Sequence, residues 1–149
     1  MAISQRSLSS LILIPVFTVF IALVSGCAGG QPSPAELASA DYGIPISQAP
    51  AQKLALEFLK RYLKDPKSAR IDWSPIAPGW LREAPVEGGG LKFGYKLTAQ
   101  INEKNSDGAY MGYKPYVFMF FNSTLSGVYT ELEYDGFGYK KESYLGRIY

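Results

Sequence analysis

The chain contains no histidine and a single cysteine, Cys27. The first absence removes the usual general base near neutral pH, the nucleophilic triads built on histidine and the commonest nitrogen ligand of transition metals. The second excludes any disulfide within one copy of the chain, so stability must come from burial of apolar surface. An excess of one charge is also missing. Fifteen basic residues face thirteen acidic ones for a net +2, too even a balance for a nucleic-acid groove. No catalytic, metal or nucleotide motif stands out, and no metal or cofactor is expected. Gly88-Gly89-Gly90 is not a phosphate loop, because no lysine-serine or lysine-threonine pair and no helix follow it. The longest apolar run, Leu11 to Val24, has 14 residues, where a membrane-spanning helix needs roughly 20.

What surrounds that run is informative. Met1 to Ser10 is polar with one cation, Arg6, and no acid; the apolar run follows; then come small residues and the cysteine, Val24-Ser25-Gly26-Cys27. Charged, greasy and small in that order is the pattern of a secretory signal. The four residues resemble a lipobox, in which a diacylglycerol is attached to the cysteine thiol, a signal peptidase cuts before it and the new N-terminus is acylated. The resemblance implies a bacterial lipoprotein with residues 1–26 as signal peptide and Cys27 as the lipidation site. Two or three acyl chains, at about 0.8 kcal/mol per buried CH₂, would hold such a chain at the membrane essentially permanently. Ala28, rather than an aspartate, after the cysteine implies the inner leaflet of the outer membrane, facing the periplasm. A plain secreted protein cut near Ala28-Gly29 is the alternative.

Residues 27–46 hold Gly29, Gly30, Pro32, Pro34, Gly43 and Pro45 with few large apolar groups. Such a composition buries too little surface to offset ordering, and predicts a flexible tether of about 25 Å from the lipidated cysteine. Residues 47–149 form the expected globular domain, about 100 residues around one core. Ser47 to Lys64 reads as an amphipathic helix, with Leu54, Phe58 and Tyr62 recurring beside Ala55, Leu59 and Leu63; Lys60, Arg61 and Lys64 suit its C-terminal end. Arg70 to Ser74 alternates as a short strand. Pro75, Pro78, Gly79 and Pro85 predict a loop.

Leu91 to Asn102 alternates cleanly, as a half-buried antiparallel strand does. Tyr116 to Phe121 is apolar throughout, as in a strand covered on both faces. Asn122 to Gly127 predicts a turn, Val128 to Glu133 a last regular strand, and Tyr134 to Tyr149 an irregular edge or docking tail. The expected fold is therefore α+β: one N-terminal amphipathic helix packed on a three- to four-stranded antiparallel sheet.

Function is sought in the stretch Asn102 to Tyr116, longer than the two to five residues that usually join a hairpin. It interleaves amides, lysines, tyrosines and glycines, chemistry suited to recognition. Asn102, Lys104, Asn105, Tyr110, Tyr113, Lys114 and Tyr116 are the candidate partner-binding residues. The competing reading is that the amides and glycines shape a long loop while the tyrosines pack on the sheet edge. Together with Leu63-Lys64-Asp65-Pro66-Lys67-Ser68-Ala69, this stretch resembles small, poorly characterised proteobacterial envelope lipoproteins. That likeness implies an exported α+β module and brings no activity or catalytic residue with it.

Three functions remain open. The first is a non-catalytic binding or envelope-assembly module that meets an envelope protein or glycan. The second is a carboxylate-dependent envelope glycan or peptide hydrolase using Asp107 with Glu103. The third is a structural subunit or spacer of a secretion or envelope complex. Glu131 and Glu133 read better as acids that block an exposed edge, and Trp73 and Trp80 as core packing rather than a carbohydrate platform. Asn122-Ser123-Thr124 matches a glycosylation sequon that is normally idle in bacteria.

Overall fold

The computed structural model describes residues 30–135 and 141–149. It corrects the expected architecture. Among the described residues six antiparallel strands, not three or four, form one sheet, and two α-helices accompany it rather than one. The strands are β1 (Arg70–Trp73), β2 (Ala77–Arg82), β3 (Leu91–Lys104), β4 (Tyr110–Phe121), β5 (Thr124–Asp135) and β6 (Lys141–Arg147). The order runs β1-β3-β4-β5-β6, and β2 pairs with the same edge of β3 as β1, nearer its start.

Each unforeseen strand has a physical reason. β2 contains Pro78 and Gly79, which read as breakers, yet it lies at the sheet edge, where a residue without an N–H is tolerated. β6 lacks alternation in sequence and is recruited by register against β5, from Tyr129↔Arg147 to Asp135↔Lys141. β4 and β5 meet in a two-residue turn in which Asn122 (φ 50) and Ser123 (φ 59) both take positive φ, the geometry a tight hairpin demands.

The main helix, α2 (Gln48–Tyr62), buries Ala51, Ala55, Phe58 and Leu59 against one face of the sheet. Ser47 stands at its N-cap without a side-chain hydrogen bond. The helix start is tied instead by Gln48, whose amide donates to the Ser74 carbonyl (3.1 Å) and accepts from the Ile76 N–H (2.7 Å). Beneath the helix lie Leu97, Ala99, Ile101, Tyr116, Phe118, Phe120 and Val128, all buried. Phe118 is the hub: Phe58 meets it edge-on at 6.5 Å, Trp73 at 5.8 Å and Tyr116 at 6.3 Å. Gly94 lets β3 and β4 close, since a Cβ there would stand 2.4 Å from the Phe120 carbonyl oxygen.

The segment expected to act as a tether is docked from Gly30 onward. Helix α1 (Pro34–Ala38) is closed by a capping box, with Ser33 Oγ accepting from the Glu36 N–H and Glu36 accepting from the Ser33 N–H. Those bonds from Ser33 hold the Glu36 carboxyl below the usual carboxylate range, with Arg82 adding to the effect. Farther along, Ile44 donates to Asn122 Oδ1 (3.0 Å) and accepts from the Ser123 N–H (3.2 Å), so the segment is pinned to the β4–β5 turn. Composition missed this because the anchors join the segment's main chain to residues some 50 to 80 positions away.

Candidate functional site

Cys27 and residues 1–26 lie outside the described residues, and so does the proposed lipid site. The first described residue, Gly30, accepts a hydrogen bond from Arg82 Nε at 3.2 Å. Arg82 pairs with Leu91, the first residue of β3. The chain therefore arrives at the Leu91 end of the longest strand. The candidate residues sit toward the other end, from Tyr116 opposite Ala99 to the turn beyond Lys104, roughly 25 to 45 Å away along a strand that rises about 3.3 Å per residue.

There the expected long loop is corrected to a hairpin arm. β3 runs on to Lys104 and β4 starts at Tyr110, leaving only a short turn between them. Asn105 shapes that turn: its Oδ1 accepts from the Asp107 N–H (3.0 Å) and the Ala109 N–H (2.9 Å), and Gly108 takes φ +79. Asn102 is buried, and its Oδ1 accepts from the Gly112 N–H (3.0 Å) across the bulge where the register shifts between Asn102 and Lys104. Both asparagines are spent on the fold. Tyr116 belongs to the core, and burial pushes its phenol up to about 12, with Tyr62 and Glu103 adding to the shift. The shape-giving role thus falls to Asn102 and Asn105, while Tyr116 packs in the core rather than on the sheet edge.

The remaining candidates form the arm's surface. Tyr110 is clamped: its hydroxyl donates to the Ser68 carbonyl (3.1 Å), the Arg70 guanidinium lies 4.2 Å above its ring, and Lys104 Nζ stands 5.2 Å from it. Tyr113 and Lys114 are exposed on β4. Exposure reaches 49% at Tyr113 and 60% at Met111, against 4% at Tyr116 on the same strand. Met111 was not among the candidates; its exposure follows from the arm, which the residue pattern did not reveal. Asp107 lies on the exposed turn and Glu103 is half-buried on β3, with its Oε2 lacking a hydrogen-bond partner.

A second feature lies on the sheet face that α2 leaves open. Leu81, Met119 and Tyr129 form a small buried cluster with Val117 against it. Beside it Glu83, only 7% exposed, accepts from the Tyr129 hydroxyl at 3.1 Å, with Arg147 at 3.6 Å and Lys92 at 3.7 Å. Burial first, and then the Glu83 carboxylate, push the Tyr129 phenol up to about 12. A cleft of about 690 Å³ opens next to this cluster, between the end of β2 and β6, lined by Trp80, Arg82, Pro85, Lys96, Val117 and Leu145 among others. Trp80 lines this cleft while Trp73 packs on Phe118, so the two tryptophans share no platform. Neither Glu103 nor Asp107 lines it, and Glu83 is neutralised by its own neighbours.

Among the described residues no group of three or more acidic or cysteine side chains is placed to hold a metal. No described helix is long and apolar enough to cross a membrane. Comparison with protein-family models, curated proteins and solved structures finds no match in any of the three.

Proposed function

We propose that the chain is a non-catalytic binding module of the bacterial envelope, anchored by lipid on Cys27 and meeting its partner through the β3–β4 arm. The observation that carries this reading is the arm itself. It projects Tyr110, Met111 and Tyr113 into solvent on strands braced by the Asn105 turn and the Ser68–Tyr110–Arg70 clamp. Large apolar side chains held rigidly in water lose little freedom on binding, which is how contact residues differ from loose surface groups. The lipobox-like Val24-Ser25-Gly26-Cys27 supports the anchor. Attachment at that point would leave the arm at the pole remote from the bilayer, facing the periplasm.

Two measurements on the full chain in a bacterial envelope test the proposal. Labelled palmitate should enter the wild type and not Cys27→Ala. A photoreactive residue at Tyr113 should crosslink to one discrete envelope partner, and the same residue placed at exposed Lys53 of α2 should not. Equal labelling of both chains defeats the anchor; equal crosslinking from both positions defeats the arm.

A further inference from the structure

Past the Tyr116↔Thr130 pair the sheet forks. Among the described residues, β4 reaches back to Tyr110 paired with β3 alone, while β5 goes on to Asp135 paired with β6. β4 thus turns toward the gap a main-chain edge that is unpaired among the described residues. Thr130 Oγ1 donates to the Pro115 carbonyl at 2.8 Å, so Pro115 turns its main-chain groups toward β5. By alternation Tyr113 does the same, and Lys114 turns toward Ile101. Pro115 has no N–H to give, and no described β5 residue pairs with Tyr113, so its donor and acceptor are unpaired among the described residues.

An unpaired edge flanked by an exposed aromatic is a template for another strand. The side chains beside the gap specify what kind. Tyr113 lies on the same sheet face as Val117, and Glu131 on the same face as Tyr129, because residues two apart on a strand share a face. Tyr113 and Glu131 thus flank the fork on one face. Glu131 is exposed and meets no cation among the described residues. We infer that the fork accepts an extended strand from a partner protein, with arginine or lysine at alternate positions seated between the Tyr113 ring and the Glu131 carboxylate. This deepens the binding-module reading and rests on it.

With the chain cut and anchored at Cys27 as proposed, two other occupants are excluded. The segment that leads into Gly30 arrives at the far end of β3, and the three residues back to Cys27 span at most about 10 Å. A second copy pairing β4 antiparallel with β4 would point the two Gly30 poles in opposite directions, which two anchors in one leaflet do not permit.

The test uses the full-length lipidated protein in detergent micelles. It is titrated with a synthetic alternating arginine–valine nonapeptide and, for comparison, an alternating glutamate–valine one. The arginine peptide should bind and slow hydrogen exchange of the Tyr113 amide, while the glutamate peptide does neither. Tyr113→Pro removes an N–H that no β3 residue uses, so it should weaken binding about tenfold without shifting thermal unfolding. Glu131→Gln should weaken it about threefold, with the loss shrinking at high salt. Absence of binding, equal binding of both peptides, or binding untouched by Tyr113→Pro overturns the inference. So does protection of the Tyr113 amide with no peptide present and a doubled particle mass, which would assign the fork to a second copy. If the Tyr113 crosslink in the envelope persists while the arginine peptide fails, only the strand-addition claim falls; if the crosslink is also absent, the contact reading falls with it.

Discussion

The two halves of the β3–β4 hairpin make an instructive pair. Between Tyr95 and Ile101 on one strand and Tyr116 and Phe120 on the other, the ladder is roofed by α2, and Leu97, Ile101 and Phe118 are almost wholly buried. Beyond Asn102 and Pro115 the same two strands remain paired, yet the helix no longer covers them and β5 has turned away. Tyr116 and Tyr113 are three residues apart and of one chemistry; one is core and the other is surface. Coverage by a neighbouring element, rather than residue type, makes that difference.

The difference should register in stability. Phe118→Ala is expected to cost about 3–5 kcal/mol, the range for emptying an aromatic site in a packed core, whereas Tyr113→Ala should stay within about 0.5 kcal/mol; urea denaturation of both chains decides. A Tyr113→Ala loss comparable with that of Phe118→Ala would mean the arm is part of the core. Glu83→Ala, on the face without a helix, leaves the buried Tyr129 hydroxyl unpaired and should cost about 1–3 kcal/mol. Tyr129→Phe combined with Glu83→Ala should recover part of that loss, because it removes the orphaned hydroxyl.

Alkali probes both faces at once. Tyr116 and Tyr129 each have a phenol raised to about 12, so the fold favours their neutral forms. Unfolded tyrosines ionise near 10, so this stabilisation is complete below pH 10 and is lost as pH climbs toward 12. Unfolding free energy should fall through that window, and Tyr129→Phe should flatten the fall by removing one of the two groups. Asn105→Ala is the mildest change expected to register. Losing the two bonds that shape the turn should cost about 0.5–1.5 kcal/mol and make the arm cleavable at Gly108 in limited proteolysis while the core stays intact.

Much of the fold was legible where burial imposes a repeat. The period of α2 and the alternation along β3 are dictated by neighbours within the same element. β2 and β6 were not legible, since each gains strand geometry from a partner distant in sequence and carries residues, Pro78 and Gly146 among them, that argue locally against a strand. The candidate site was half legible. Of the tyrosines and lysines singled out in the sequence, Tyr113 and Lys114 are exposed on the arm. Asn102, Asn105 and Tyr116 were drawn inward by hydrogen bonds and packing that appear only once β3 and β4 are in register. The Glu83 cluster gave no local signal, because Tyr129, Lys92 and Arg147 come to it from three separate strands or strand ends.

Residue order alone determined the helix, the long alternating strand, the lack of histidine chemistry and the lipobox-like run ending at Cys27, because each depends on neighbours a few positions apart. The docking of residues 30–46, the approach of Arg147 to Glu83, and the fork past Tyr116 were decided only in three dimensions. Those features depend on which edges close on which partners, and an unpaired main-chain edge has no signature in the order of side chains.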